Sequence, residues 1–366
     1  MNFSKDLVFL WLLEHEYTIC LLSFIVNLFH LAVLTRRYMR TSSIYILLIG
    51  VCVSELYSSL IPLKLKLEQL VTGWMSCPLP SSVTRIYLDR IALSTSDNTA
   101  RLATWLIVTL AVIRVLVLRN LADNRFQMLS APGFGWLLSF FLFIVSFVMS
   151  LTHYFKDQIE EIGRWTPPPG CESVTLSDSF TQYNLTTSDL YTFGNGVFAK
   201  LFFVSDGFFT HLVPCAILPI LVVLLTMEVL KSKRSRKDGL KNPHQLRNEQ
   251  TTKLVNVFCI LTSLIQLAYS TIFILKVVFG KQVEILKSAD VAMAWIFTFN
   301  SSFRCFLCAL FSCRYRNTIR RMFGFRDRMS VSHKSSLALT HQGSIARKGK
   351  SVSSIAPPSS PKTEFS

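Results

Sequence analysis

Seven stretches of the chain are apolar over the ~20 residues that a helix needs to cross a bilayer, and the segments between them are polar. They fall at 17–34, 44–63, 98–118, 134–154, 204–230, 254–279 and 288–311. The third is the least tidy, because its approach, 81–97, is polar. No internal repeat of the transporter kind is evident. The short apolar run LVFLWLL at 7–13 is followed by Glu14 and Glu16 where small cleavage-site residues would stand, so no signal peptide is expected. The pattern predicts an all-α membrane protein. Residues 1–16 form a leading segment, 17–325 a seven-transmembrane-helix bundle, and 326–366 a tail.

Composition agrees. Hydrophobic residues make up 51% of the 366 and charged residues only 16%, which is too apolar for an ordinary soluble domain. The net charge of +16 would suggest nucleic acid in a soluble protein. Here the basic residues border the apolar runs, so the expected partner is the lipid bilayer and no nucleic acid. Arg36, Arg37 and Arg40 fill the 35–43 loop, and the 231–253 loop holds eight Lys and Arg against Asp238 and Glu249. Glu14, Glu16, Asp157, Glu160, Glu161, Glu172, Asp178 and Asp189 lie on the opposite side. The basic loops place the N-terminus outside and the C-terminus in the cytoplasm of a multi-pass plasma-membrane protein.

Of the nine cysteines, six lie in spans and Cys313 lies at the cytoplasmic edge. Cys77 and Cys171 face the oxidising side, where they either pair with each other or remain free thiols. Asn184 begins an N-L-T glycosylation pattern in the same outer loop. Beyond 326 the chain turns Ser-rich, basic and poor in large apolar groups, so disorder is expected there. Residues 314–323 place Tyr315, Ile319, Met322 and Phe323 on one helical face and arginines elsewhere, predicting a short amphipathic eighth helix at the membrane surface. No HExxH, Walker or GxSxG motif occurs and the histidines are scattered, so no enzyme, metal site or cofactor is expected.

Seven spans, an outside N-terminus and a basic third inner loop resemble the rhodopsin-like G-protein-coupled receptors. Asn27 and Glu55 stand 28 residues apart, as do that family's helix-one asparagine and helix-two acid. Its helix-three arginine falls on Arg114 in LAVIRVLVLRN, and its helix-four tryptophan on Trp136. NSSFRCFLC (300–308) is similar to the peptide-receptor pattern NSSxNPxxY. The strings NLFHLAVLTRRYMRTSSIYILLIG (27–50), PGFGW (132–136), TTKLV (251–255) and YRNTIRRMF (315–323) look like the nematode serpentine receptors of class W. Those are chemosensory receptors related to FMRFamide-type peptide receptors. The resemblance covers roughly residues 20–325.

Departures from the broader family are specific. Ile113 precedes Arg114 where an acid is usual, so the acid–arginine lock is missing. Ala268 stands near the helix-six proline position and Val222 at the helix-five tyrosine. Asn-Pro in helix seven becomes Arg304-Cys305, and the tyrosine becomes Cys308. Cys77 precedes Arg114 by 37 residues, so helix three is expected to carry a polar extension.

The resemblance implies roles. Arg114 is either the conformational switch that meets a heterotrimeric G protein or a snorkelling interfacial arginine. Asp97 and Arg101, four apart on one helical face, either neutralise each other or present a charge pair to a ligand. Trp105 and Trp295, with Gln266 and Tyr269, complete the candidate pocket, although tryptophans there more often pack than bind. In the family fold the position of Arg304 faces the helix-two acid, here Glu55, which predicts an intramembrane ion pair ringed by Asn27, Asn300 and Ser301. The alternative is a snorkelling Arg304 and a protonated Glu55.

Ligand class is narrowed rather than fixed. The aspartate of amine receptors would fall on Ser96 and the retinal lysine of opsins on Thr298, so an extracellular peptide or small molecule remains. The long outer loop, 153–200, with Pro167, Pro168 and Pro169, suits a lid. The rival reading is a seven-helix ligand-gated cation channel of the chemoreceptor type. That family has its N-terminus inside, which the basic loops disfavour.

Overall fold

The computed structural model describes residues 3–75, 77, 79–120, 124–166, 180–235, 243–279 and 284–324. Seven of its helices are long and apolar enough to span: Tyr17–Leu34, Ser43–Trp74, Val83–Arg119, Pro132–Tyr154, Gly196–Lys231, Glu249–Phe279 and Val291–Phe311. In element order these belong to α1 (Phe3–Leu34), α2 (Ser43–Trp74), α3 (Val83–Arg119), α5 (Pro132–Tyr154), α6 with α7 (Asp189–Gly207 and Val213–Ser235), α8 (Pro243–Phe279) and α9 (Glu284–Phe311). A four-residue α4 (Asn124–Gln127) precedes α5, and α10 (Cys313–Met322) follows α9. The compact bundle closes at Thr318.

Several helices outrun their apolar stretches, for local reasons. α3 starts at Val83, where the Ser82 hydroxyl accepts from the Arg85 N–H at 3.3 Å and caps it. Its polar first turns are matched by α2: Lys64 pairs with Asp89 and with Glu68 (3.3 Å), and Glu68 accepts from Arg85 (3.1 Å). The polar approach to the third span is thus a helical extension paired with its neighbour. The first span likewise extends back to Phe3.

The fifth span is one rod interrupted by a π turn, Phe208–Leu212. Pro214 follows directly, and a proline has no N–H to give the carbonyl one turn back, so the ladder widens just upstream. The outer loop holds a hairpin that the hydropathy pattern did not foresee. β1 (Asp157–Arg164) pairs antiparallel with β2 (Thr181–Thr187), with an irregularity between Glu161 and Gly163. Gly163 has φ +133, a conformation that favours glycine at such a bulge. Residues 167–179, including the proline run and Cys171, lie outside the described residues, as do Cys77's two neighbours and the tail beyond 324.

α3 packs against α2, α5, α7 and α8 and so forms the centre of the bundle. Leu106, Ile107, Leu110 and Ala111 are fully enclosed. The fourth span meets α2 through Gly135. A methyl there would lie 2.9 Å from the Ser43 Cα and 3.0 Å from its carbonyl oxygen, so only hydrogen fits without backbone movement. Gly135→Ala is expected to destabilise the folded protein by about 1–3 kcal/mol through overpacking. A lower thermal midpoint for the detergent-solubilised variant checks this, and an unchanged midpoint would show that α5 can move away at no cost.

Candidate functional site

Polar side chains that an apolar chain would not bury without reason gather at three levels of the bundle. The first joins α1, α2 and α9. Ser23, Asn27 and His30 share the inward face of α1, and Ser301, Arg304, Cys305 and Cys308 share that of α9. Glu55, 3% exposed, meets Arg304, 4% exposed, in a direct ion pair. The second carboxylate oxygen of Glu55 accepts from the Ser301 hydroxyl at 2.8 Å. Asn27 Nδ2 donates to Ser301 Oγ at 2.6 Å and to Ser23 Oγ at 3.2 Å, and Ser23 Oγ donates to the Thr298 carbonyl at 3.3 Å. The Cys52 thiol donates to the Asn27 carbonyl at 3.2 Å. Asn300 is buried on the same helix as Ser301. Two full charges thus neutralise each other within a shell of hydrogen-bond donors and acceptors, the condition under which a buried pair is tolerated.

A little further along, Tyr315 of α10 is fully enclosed. Its hydroxyl stands 2.8 Å from His30 Nδ1 and 3.3 Å from Cys305 Sγ. Burial pushes its phenol well above the usual tyrosine range, so the ring stays neutral. The sequence pattern grouped Tyr315 with Ile319, Met322 and Phe323 on one apolar face. Its ring points into the bundle, where His30 and Cys305 give its hydroxyl partners.

The second level centres on Arg101 of α3, 2% exposed. Its guanidinium donates to Asp97 Oδ2 (2.6 Å), Asp206 Oδ1 (2.7 Å), the Ser146 carbonyl (3.1 Å), Ser150 Oγ (3.1 Å) and, through Nε, Thr210 Oγ1 (3.0 Å). Asp97 and Arg101 therefore do pair, but α5 and the fifth span complete the cluster. Near it, Gln266 of α8 donates to Thr104 Oγ1 at 3.1 Å and lies 3.4 Å from His211 Nδ1 in the π turn. Tyr269 stacks on that imidazole, with centroids 5.2 Å apart and planes 6° from parallel. A cavity of about 220 Å³ opens here between the fifth and sixth spans, lined in part by Asp206, His211, Tyr269 and Phe273. Trp105 and Trp295 are half-buried on α3 and α9.

The third level lies at the end of the bundle that carries the basic loops. Arg114 of α3, 4% exposed, donates through Nε to Thr252 Oγ1 of α8 at 2.9 Å. Nearby, Asn256 of α8 donates to Thr226 of α7 at 3.0 Å, and Arg119 meets Glu228 of α7 at 3.4 Å. The sequence flagged the missing acid beside Arg114 and placed Thr252 only within the TTKLV string at the end of the basic loop, with no sign that it meets Arg114.

At the hairpin end, Cys77 is disulfide-bonded, and Cys171 lies outside the described residues. Asn184 is exposed on β2 opposite Glu160. The Tyr191 hydroxyl, held at 2.8 Å on the Thr152 carbonyl, anchors the start of α6 to the end of α5, and burial pushes its phenol up to about 12. If Cys171 is the partner of Cys77, Cys77→Ser and Cys171→Ser should each impair surface delivery, and the double variant should be little worse than either. Additive losses in surface staining would separate the two thiols.

Seven spanning helices around a central third helix, with polar clusters at three depths, make a seven-transmembrane bundle. More narrowly, the chain belongs to the family of serpentine type 7TM GPCR chemoreceptors Srw, whose model matches residues 14–326. No curated protein gives a match to the chain.

Proposed function

We propose that this receptor senses an extracellular peptide or small molecule and activates a heterotrimeric G protein from the plasma membrane, with its N-terminus outside. The observation that carries the reading is the Arg114–Thr252 hydrogen bond, which ties the basic ends of the third and sixth spans together across the bundle. A ligand seated nearer the hairpin end acts by binding better to a state in which that tie is open. Opening frees a guanidinium, beside loops rich in Lys and Arg, for a partner with carboxylate or carbonyl acceptors. The Arg101 cluster and the cavity beside His211 and Tyr269 support this reading, since they offer charged, aromatic and hydrogen-bonding groups to such a ligand.

The test has two arms. Epitope tags at each terminus of the receptor on unpermeabilised cells should stain at the N-terminus only. A screen of peptides and small molecules against cells co-expressing a promiscuous G protein should yield a second-messenger response that depends on the receptor. Staining at the C-terminus would overturn the orientation. Ligand-evoked current without any G-protein response would favour the channel.

A further inference from the structure

Three ligand-type atoms from three separate spans converge at the Arg101 cluster without being joined by hydrogen bonds. Asp97 belongs to α3, His153 to the last turn of α5, and Asp206 to α6. Each carboxylate turns one oxygen to Arg101, Asp97 Oδ2 at 2.6 Å and Asp206 Oδ1 at 2.7 Å. The other two oxygens turn to the imidazole: Asp97 Oδ1 lies 3.8 Å and Asp206 Oδ2 3.9 Å from His153 Nε2. All three atoms are within 4.8 Å of one another.

Those separations are too long for hydrogen bonds. They come close to two donors of one small cation: ligands roughly 2.0–2.2 Å from a tetrahedral metal stand roughly 3.3–3.6 Å apart, so the side chains need close by only a few tenths of an ångström. The charge also fits. Two carboxylates and one guanidinium leave a single negative charge facing the imidazole, so a dication there is partly compensated rather than repelled.

The donors are held as metal ligands usually are. Ser150 Oγ donates to Asp97 Oδ2 at 3.0 Å and Thr210 Oγ1 to Asp206 Oδ1 at 3.1 Å, on the same oxygens that Arg101 uses. The His153 ring packs edge-on to Phe202, with centroids 5.5 Å apart. Arg101 itself is enclosed, but the side chains of Asp97, His153 and Asp206 are 28%, 35% and 20% exposed, so an ion can reach the gap.

We infer that Asp97, His153 and Asp206 form a site for a zinc-type dication, with Arg101 as the group that aims both carboxylates. An imidazole nitrogen with two carboxylates selects zinc or a similar transition metal over calcium or magnesium, which take oxygen shells. Three protein donors leave the fourth position open to water or to a donor atom of a second molecule. The ion clamps the third, fourth and fifth spans together beside the cavity at His211 and Tyr269, so its occupancy stabilises that end of the bundle. The inference requires only the fold and does not depend on G-protein coupling.

The experiment uses the full-length receptor in nanodiscs, free of histidine tags and stripped with chelator, titrated with zinc chloride in a calorimeter. One zinc per receptor is expected at micromolar concentration, with a zinc-dependent rise in thermal midpoint. His153→Phe keeps a ring against Phe202 but removes the nitrogen, and should weaken binding about tenfold or more and abolish the rise. His153→Cys, which restores a zinc ligand, should recover binding. Cobalt in place of zinc should give the absorption bands of a tetrahedral site in the wild type and not in His153→Phe. A folded wild type with no saturable zinc binding, or equal binding by wild type and His153→Phe, overturns the inference. The first result would mean that the imidazole merely pairs with the two carboxylates when protonated.

Discussion

Glu55→Gln and Arg304→Gln are each expected to leave most of the receptor inside the cell. Each removes one partner of an ion pair whose members are 3% and 4% exposed, and so strands the other charge. Breaking a buried pair from one side costs roughly 3–5 kcal/mol, a large part of the stability of most folded proteins. Arginine is the harsher survivor, because it cannot readily lose its proton. Glu55 stranded alone has an escape through protonation, so Arg304→Gln should be the milder of the two. The exchanged receptor, Glu55→Arg with Arg304→Glu, should regain part of the surface expression, because the charges again neutralise each other and the Ser301 hydroxyl can donate or accept beside them. The guanidinium of Arg304 is also a tethered cation on the second-span carboxylate, so sodium should not modulate signalling in the wild type. Surface expression of the wild type, the singles Glu55→Arg and Arg304→Glu and the exchanged double is the measurement of recovery. Strictly additive losses without recovery, together with sodium inhibition of the wild type, would contradict the pairing as a functional unit.

The second large effect is expected at Arg114. Thr252→Val removes the hydroxyl that accepts from Arg114 Nε across the third and sixth spans while keeping the side-chain volume. A hydrogen bond to a charged group contributes about 1.5–3 kcal/mol, so its loss shifts a two-state equilibrium by roughly tenfold to a hundredfold toward the open state. Ligand-independent signalling should rise accordingly. Arg114→Ala should signal at the level of cells without receptor, at near-normal surface expression, and should do so even when combined with Thr252→Val. That order of effects distinguishes a switch from an anchor. If Arg114 only snorkelled toward headgroups, the double variant would keep the raised signal.

The spans were legible because a bilayer imposes one simple demand, a helix of apolar residues, on every segment that crosses it. Glu55 and Arg304 stood out for the same reason, as charges inside such runs. Asp206 sits in the fifth apolar run and carried the same signal, yet only the structure shows that it shares Arg101 with Asp97. His153 stands at the end of its span, where a polar residue costs little and draws no notice. The grouping of 97, 153 and 206 has no ligand spacing along the chain because three separate helices supply it. Helix ends were less visible than helices. The spacing of Cys77 from Arg114 called for a polar extension of helix three before residue 98, but not for its partners, Lys64 and Glu68 of the neighbouring helix beside Asp89 and Arg85. The hairpin at 157–187 was hidden because its strands are short and polar, and pairing through main-chain hydrogen bonds needs no apolar stripe. The role of Thr252 was invisible for a different reason: a neutral hydroxyl acquires it only from the arginine opposite.

The claim that matters most is that the chain passes a conformational signal to a G protein through Arg114. It is tested most directly by guanine-nucleotide exchange on purified heterotrimer, added to membranes that hold matched amounts of wild type, Thr252→Val or Arg114→Ala receptor. The account predicts exchange above receptor-free membranes for the wild type, a several-fold higher rate for Thr252→Val, and no stimulation by Arg114→Ala. Exchange at the receptor-free rate in all three, with a cation current appearing in cells that express Thr252→Val, would contradict it.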